Sequence, residues 1–238
     1  MTNRDRAIED FAALDWRAIG EDLDRFGYAM TAPLLDGEQC DELIDLFDVE
    51  ERFRSTVVMS RHAFGEGTYR YFAEPLPPVV QHLRRDLYPP LAAIANRWAE
   101  QLGDATFPGA LDELLAACAA AGQRKPTPLL LNYDAGGYNC LHQDVYGDIT
   151  FPLQATIMLS RPGVDFTGGE NVFVEQRPRA QSRPAVANLE RGQGVIFATR
   201  HRPVPGARGF KRVAMRHGVS TVHSGRRSAL GVIFHNAR

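Results

Sequence analysis

His142 and Asp144 stand one residue apart in NYDAGGYNCLHQDVYGD, residues 132–148, just past a glycine-rich bend. In a β-strand, residues two apart project from the same face. LHQDV as a strand therefore sets the imidazole beside the carboxylate and sends Gln143 the other way. Two imidazoles and one carboxylate on one face suit Fe(II) and leave open coordination positions opposite. A third ligand must then come from another strand. The alternative for HQD alone is a strand histidine beside a solvated aspartate, because such tripeptides recur by chance. Four downstream histidines compete for the third place. His201 lies in the basic segment TRHRPVPGARG, which reads as a mobile or substrate-facing loop. His223 falls at the turn VHSGR and is expected to face solvent, and His235 is nearly terminal. His217 lies within the β-like run VAMRHGVSTV, and Arg227 follows ten residues later in RRSALGVIF. Antiparallel pairing of those two runs brings His217 and Arg227 to one cavity. A guanidinium there grips a planar carboxylate bidentately. Arg226 is its rival, since neighbours in a strand point to opposite faces.

HQD at 142–144, followed by HGVSTVHSGRRSAL at 217–230, resembles the Fe(II)/2-oxoglutarate dioxygenases, and most nearly their prolyl-4-hydroxylase-like branch. GGENVFVE and GQGVIF resemble the core of that branch, and FGYAMTAPLL resembles its lead-in strand. The likeness covers about residues 126–236. NYDAGGYNCLHQD is also similar to the Tyr-Gly-HQD stretch of AlkB-type nucleic-acid dealkylases. The chain departs from that second family in lacking its paired, Asn-containing Arg motif after the distal His.

The resemblance implies a double-stranded β-helix, or jelly roll. It implies that His142, Asp144 and His217 hold Fe(II) and that Arg227 holds the distal carboxylate of 2-oxoglutarate. Tyr133 is either a second contact for 2-oxoglutarate or a core tyrosine at a strand edge. The implied chemistry uses O2, with ascorbate as a reductant, hydroxylates a substrate C–H bond and releases succinate and CO2. Related halogenases carry a small residue in place of the carboxylate, so Asp144 favours hydroxylation. The leading substrate is a protein or peptide residue. Oxidative dealkylation or repair of nucleic acid is the alternative, and a small molecule such as free proline is a third. A non-catalytic jelly-roll module with a residual metal site stands beside these. Phe64, Tyr69, Arg70 and Tyr71 in AFGEGTYRYF, with Arg200 and His201, are the substrate-contact candidates. That aromatic segment reads either as a loop covering the ligand or as a packed hairpin.

The elements must supply this positioning within 238 residues, a length that suits one compact domain. Residues 1–125 read as a helical support with lead-in strands, and 126–238 as the catalytic core. Apolar positions at helical spacing from Ile8 to Phe26 predict a helix over 5–26. GYAMTAPLL predicts a strand, and Asp36 caps a helix through DGEQCDELIDLF. FRSTVVMSR is β-rich. A helical stretch follows over about 76–103, interrupted at Pro89-Pro90, and another over 109–121. After Pro126 short β runs alternate with turns: PLLLNY, FPLQATIMLS, GGENVFVE, GQGVIFAT, VAMRHGVS and RRSALGVIF. This is the pattern of a sandwich or barrel with helices packed on it, an α+β chain.

Charge is unevenly spread. Residues 1–175 carry 14 Lys/Arg against 28 Asp/Glu, whereas 176–238 carry 13 Lys/Arg against Glu190 alone. The segment charges of −14 and +12 give the overall −2. A basic C-terminal block suits an acidic partner such as nucleic acid, unless the two parts interleave and neutralise each other. Cys40, Cys118 and Cys140 lack CxxC spacing and read as reduced thiols of a cytoplasmic protein, a setting that keeps iron ferrous. No apolar run is long enough for a membrane span, and the acidic start lacks a signal-like apolar stretch.

Overall fold

A computed structural model of the chain describes residues 11–238. Helix α1 (Trp16–Phe26) starts where Asp15 accepts a hydrogen bond from the Ala18 amide, and ends at left-handed Gly27. The cap at Asp15 splits the longer helix expected over 5–26: Phe11–Ala13 form a separate 3-10 turn, and Ile8 lies outside the described residues. Strand β1 (Tyr28–Pro33) follows. Helix α2 (Gly37–Leu46) opens on a capping box between Asp36 and Gln39.

Strands β2 (Phe53–Val58), β3 (Gly65–Glu66) and β4 (Thr68–Phe72) precede helix α3 (Pro78–Leu102). The break expected at Pro89-Pro90 does not occur, and α3 is continuous through both prolines. Its buried face runs unbroken past them, with Leu83 and Leu87 on one side and Leu91, Ala95 and Trp98 on the other. Packing of that face outweighs the lost backbone bonds. Arg84, 2% exposed, pins α3 by donating to the carbonyls of Ile233 and Phe234 and to Asn236 Oδ1. Helix α4 (Leu111–Ala120) completes the support.

Ten further strands follow: β5 (Leu129–Asp134), β6 (Tyr138–His142), β7 (Leu153–Met158), β8 (Phe166–Gly168), β9 (Asn171–Gln176), β10 (Arg183–Ala187), β11 (Gln193–Ala198), β12 (His201–Gly206), β13 (Gly209–Val219) and β14 (Val222–Ile233). They join the earlier strands in two antiparallel sheets. The larger runs β1-β11-β7-β14-β5-β4-β2, with β8 also on β14. The smaller runs β10-β9-β13-β6-β3, with β12 also on β13. The two apolar faces enclose one core that includes Leu23, Leu43 and Tyr88 from the helices, Ile157 and Leu230 from the larger sheet, and Phe173 from the smaller. This is a jelly-roll core with a helical layer on it, an α+β fold.

One local expectation changes, and one open alternative takes its packed form. TRHRPVPGARG is not a loop: His201 begins β12, which pairs with β13 from His201–Ala214 to Gly206–Gly209. AFGEGTYRYF is a packed element that steps from the smaller sheet at β3 to the larger at β4. Gly67 permits that step, since its φ is +153° and a Cβ there would lie 2.7 Å from Tyr133 Cδ1.

The charge halves do interleave. Arg177, Arg191, Arg202, Arg212, Arg226 and Arg238 all pair with acids of the first 175 residues. Arg179, Arg183, Arg200, Arg208, Lys211 and Arg216 are exposed and have no acidic partner among the described residues. The Arg202–Glu175 pair is buried, at 2% and 6% exposure. Glu175→Leu leaves that guanidinium in the core without its counter-charge. A loss of about 3–5 kcal/mol in urea-unfolding stability is expected, and a loss under about 1 kcal/mol contradicts the pairing.

Candidate metal and cosubstrate site

Strand register builds the site. β6 and β13 pair so that His142 and His217 are direct cross-strand partners, and their rings lie 4.2 Å apart between centroids. β6 stops at His142, so Asp144 is not a strand residue as LHQDV suggested. The reason is a shared edge. β9 holds one edge of β13, while β12 covers residues 209–214 of the other, and β6 has room only at His217 and Val219. The Gln143 amide then donates to the Arg200 and Met215 carbonyls, on the far side from the histidines. This turn still delivers Asp144 to them: Oδ1 lies 3.5 Å from His142 Nε2 and Oδ2 lies 3.2 Å from His217 Nε2.

The donor set fits a divalent ion. One ligand atom from each of His142, Asp144 and His217 falls within 4.8 Å of the other two. His142 Nδ1 is 2.8 Å from the Cys140 carbonyl. That contact assigns the ring proton to Nδ1 and leaves the Nε2 lone pair for a metal. Burial would raise the Asp144 pKa, but hydrogen bonds and charge from both histidines hold it well below the usual carboxylate value. Burial pulls His217 down, opposed only in part by Asp144. For His142 burial also acts downward, but the Asp144 contact together with backbone contacts to Cys140 and His217 raises it overall. A neutral imidazole and an ionised carboxylate are the forms that ligate metals.

A cavity of about 370 Å³ opens beside the triad. Arg227 lies deep in it, 1% exposed, on β14 opposite Tyr133 of β5. Its Nε donates to the Gly169 carbonyl and its Nη2 to Asn171 Oδ1. Gly169 has φ +65°, and a Cβ there would approach Arg227 Cδ to 2.8 Å, so only glycine seats this arginine. Arg226 points out to Asp134 and takes no part. Tyr133 is fully buried, faces the cavity and accepts a hydrogen bond from Asn139 Nδ2. Burial pushes its hydroxyl up to about 12, so it stays a hydrogen-bond donor.

The aromatic segment divides by strand alternation. Tyr69, Tyr71 and Phe64 line the cavity, with Phe64 at its rim and 47% exposed. Arg70 turns the opposite way, donates to the Phe47 carbonyl and lies over the Phe47 ring, so it is a packing residue and not a substrate contact. Arg200 and His201 lie outside the cavity lining. His223 is exposed, as expected, although it belongs to β14. Sequence reasoning missed Gln154, Tyr146, Asn139 and Asn171, which all line the cavity. Gln154 carried a signal, being the one amide in the apolar run FPLQATIMLS.

His235 packs behind the site, 1% exposed, and accepts the Phe151 amide at Nδ1. Burial, then the Arg84 charge, lowers its pKa from the ordinary 6.5 to about 4. Below pH 6.5 the unfolded chain takes a proton there that the folded chain refuses, so stability falls as pH falls from about 6.5 to 4. Between pH 7 and pH 5 this costs about 2 kcal/mol. His235→Asn should remove that share of the acid loss in urea unfolding; an unchanged loss contradicts the assignment.

Fold and site together define a 2-oxoglutarate/Fe(II) oxygenase. Solved structures with the same fold include a prolyl-4-hydroxylase of Pseudomonas putida, with TM-score 0.51 and 15% identity over 94% of this chain and 99% of that one. A 2OG-Fe(II) oxygenase family oxidoreductase of Burkholderia pseudomallei matches at 0.51 and 18%, over 98% and 97%. A prolyl hydroxylase of Trichoplax adhaerens, solved with a hypoxia inducible factor peptide, matches at 0.53 and 12%, over 93% and 89%. These likenesses are of fold. Residues 67–237 match the Oxygenase-NA family, described as "Oxygenase, catalysing oxidative methylation of damaged DNA". The chain belongs to that family, and its cofactors are Fe(II) and 2-oxoglutarate. Uncharacterized proteins from two strains of Mycobacterium tuberculosis are each 50% identical over 167 residues, 70% of this chain and 72% of theirs. Among the described residues no helix is long and apolar enough to cross a membrane.

Proposed function

We propose that the protein is an oxidative dealkylase of damaged nucleic acid, acting by hydroxylation of an alkyl carbon bound to a base nitrogen. The observation that carries this reading is the family match over residues 67–237, whose description names damaged DNA. The six exposed cations that have no acidic partner among the described residues support it, since phosphate contacts need free Lys and Arg.

In this reading His142, Asp144 and His217 ligate Fe(II), and Arg227 receives the distal carboxylate of 2-oxoglutarate with help from the Tyr133 hydroxyl. Fe(II) and 2-oxoglutarate supply the oxidising chemistry: O2 is consumed, one oxygen atom enters succinate as CO2 leaves, and the other enters a substrate C–H bond. The resulting hydroxymethyl amine breaks its C–N bond to release formaldehyde and the repaired base. The protein's own part is placement. Leu129, Leu131 and Phe197 line the cavity with apolar surface that excludes water. Tyr69, Tyr71 and Phe64 offer flat faces along the path inward, suited to an unstacked base.

Hydroxylation of a protein or peptide residue is the second reading. It is favoured by the ten-residue spacing of His217 and Arg227, which is hydroxylase-like. Succinate release with Fe(II), 2-oxoglutarate and ascorbate separates the two. N-methylated oligonucleotides should stimulate it at least tenfold with equimolar formaldehyde. Binding to such oligonucleotides should weaken with salt, with a log–log slope of about −0.7 to −0.9 per phosphate contact. Stimulation by proline-containing peptides and not by oligonucleotides overturns the dealkylase reading.

A further inference from the structure

Asp144 is the one carboxylate of the triad, and both of its oxygens are already held by donors from outside the triad. The Tyr146 hydroxyl donates to Oδ1 at 2.6 Å, and the Gln154 amide donates to Oδ2 at 2.8 Å. These donors arrive from different elements: Tyr146 from the segment after β6, Gln154 from the middle of β7. Tyr146 is itself held, because the Tyr71 hydroxyl donates to it at 3.2 Å. The Arg54 guanidinium lies 4.5 Å over the Tyr71 ring and is anchored to the Pro126 carbonyl. The chain Arg54, Tyr71, Tyr146, Asp144 thus runs from β2 through β4 to the metal-facing carboxylate.

Asp144 needs such support. It lies past the end of β6, where no ladder hydrogen bonds fix its backbone, and a free carboxylate turns easily about its last bond. Gln154 has a further peculiarity. Its Nε2 lies 3.2 Å from His217 Nε2 as well as 2.8 Å from Asp144, while its Oε1 is buried without a partner. An amide in a dry strand with an unmet acceptor is costly, and is explained if its donor end serves the site. His217 Nε2 would be the atom to hold a metal, and with its lone pair so used Asp144 would be the remaining acceptor for the Gln154 amide.

We infer that Tyr146 and Gln154 are positioning residues that hold the Asp144 carboxylate facing both histidines, and so set the metal affinity of the site. This rests on the reading of His142, Asp144 and His217 as the metal ligands. Outer partners of metal ligands contribute about 10–100-fold to affinity. The test is calorimetric titration of the full chain with Mn(II), without 2-oxoglutarate, alongside metal-free melting temperatures and the Co(II) absorption spectrum. Tyr146→Phe and Gln154→Leu should each weaken Mn(II) binding about 10–100-fold and alter the Co(II) spectrum. Tyr71→Phe, one step removed, should weaken it less. Mn(II) affinity within twofold of wild type in both first variants overturns the inference, and so does a lowered melting temperature with unchanged affinity. If Tyr146→Phe does not fold, Gln154→Leu decides alone. Wild type binding Mn(II) no better than His142→Ala would instead sink the metal assignment itself.

Discussion

Asp144→Ala should abolish Fe(II)-dependent succinate formation, lowering kcat/KM by roughly a thousandfold or more, about 4 kcal/mol of transition-state stabilisation. The change takes away the only carboxylate of the triad and leaves two neutral imidazoles to hold a dication. It also strands the Tyr146 hydroxyl and the Gln154 amide, both of which now donate to Asp144. Asp144→Gly, another small residue without a carboxylate, should fare no better with oxygen-transfer substrates. A metal-binding protein that keeps more than a tenth of wild-type succinate formation after Asp144→Ala contradicts the ligand assignment.

The second large effect falls on Arg227. Arg227→Leu should raise the KM for 2-oxoglutarate by about 10–150-fold, since a hydrogen bond to a charged group contributes about 1.5–3 kcal/mol. The buried acceptors Gly169 O and Asn171 Oδ1 also lose their donor, so some stability goes with it. Arg227→Lys should not rescue, because one ammonium cannot serve those two acceptors and a carboxylate in the same fork. At saturating 2-oxoglutarate kcat should largely return, the signature of lost ground-state binding. An unchanged KM places the cosubstrate carboxylate elsewhere.

Much of the site was legible because His142, His217 and Arg227 lie on strands with strict alternation. His217 and Arg227 fell in clear β runs, but those runs do not pair with each other as expected: β13 lies in the smaller sheet and β14 in the larger, and both residues line the cavity between them. Alternation alone left Arg226 and Arg227 open; the resemblance chose Arg227, and it is the one that turns inward from β14. Asp144 converged for a different reason from the one its spacing suggested. Period-2 logic placed it on a strand, whereas β12 occupies the edge of β13 that β6 would have used. Such edge competition is a long-range property that no local pattern encodes. The same limit hid β12 itself, whose prolines read as a loop although it is bound along one edge only. Pro89-Pro90 misled in the opposite sense: local propensity predicted a break, and the buried face of α3 overrode it. Gln154 alone carried a local signal, whereas Tyr146, Asn139 and Asn171 sit in mixed segments where a polar side chain is ordinary, and only their neighbours across the sheets mark them as part of the site.

The central claim is that one cavity holds a divalent ion on His142, Asp144 and His217 and, beside it, 2-oxoglutarate on Arg227. Calorimetry of 2-oxoglutarate binding, with and without Mn(II) as an oxygen-inert stand-in for Fe(II), tests this most directly and needs no knowledge of the substrate. Metal-dependent binding is expected, tightened at least tenfold by Mn(II) and lost in both His217→Ala and Arg227→Leu. Binding of 2-oxoglutarate that ignores Mn(II) and survives both substitutions would contradict the account.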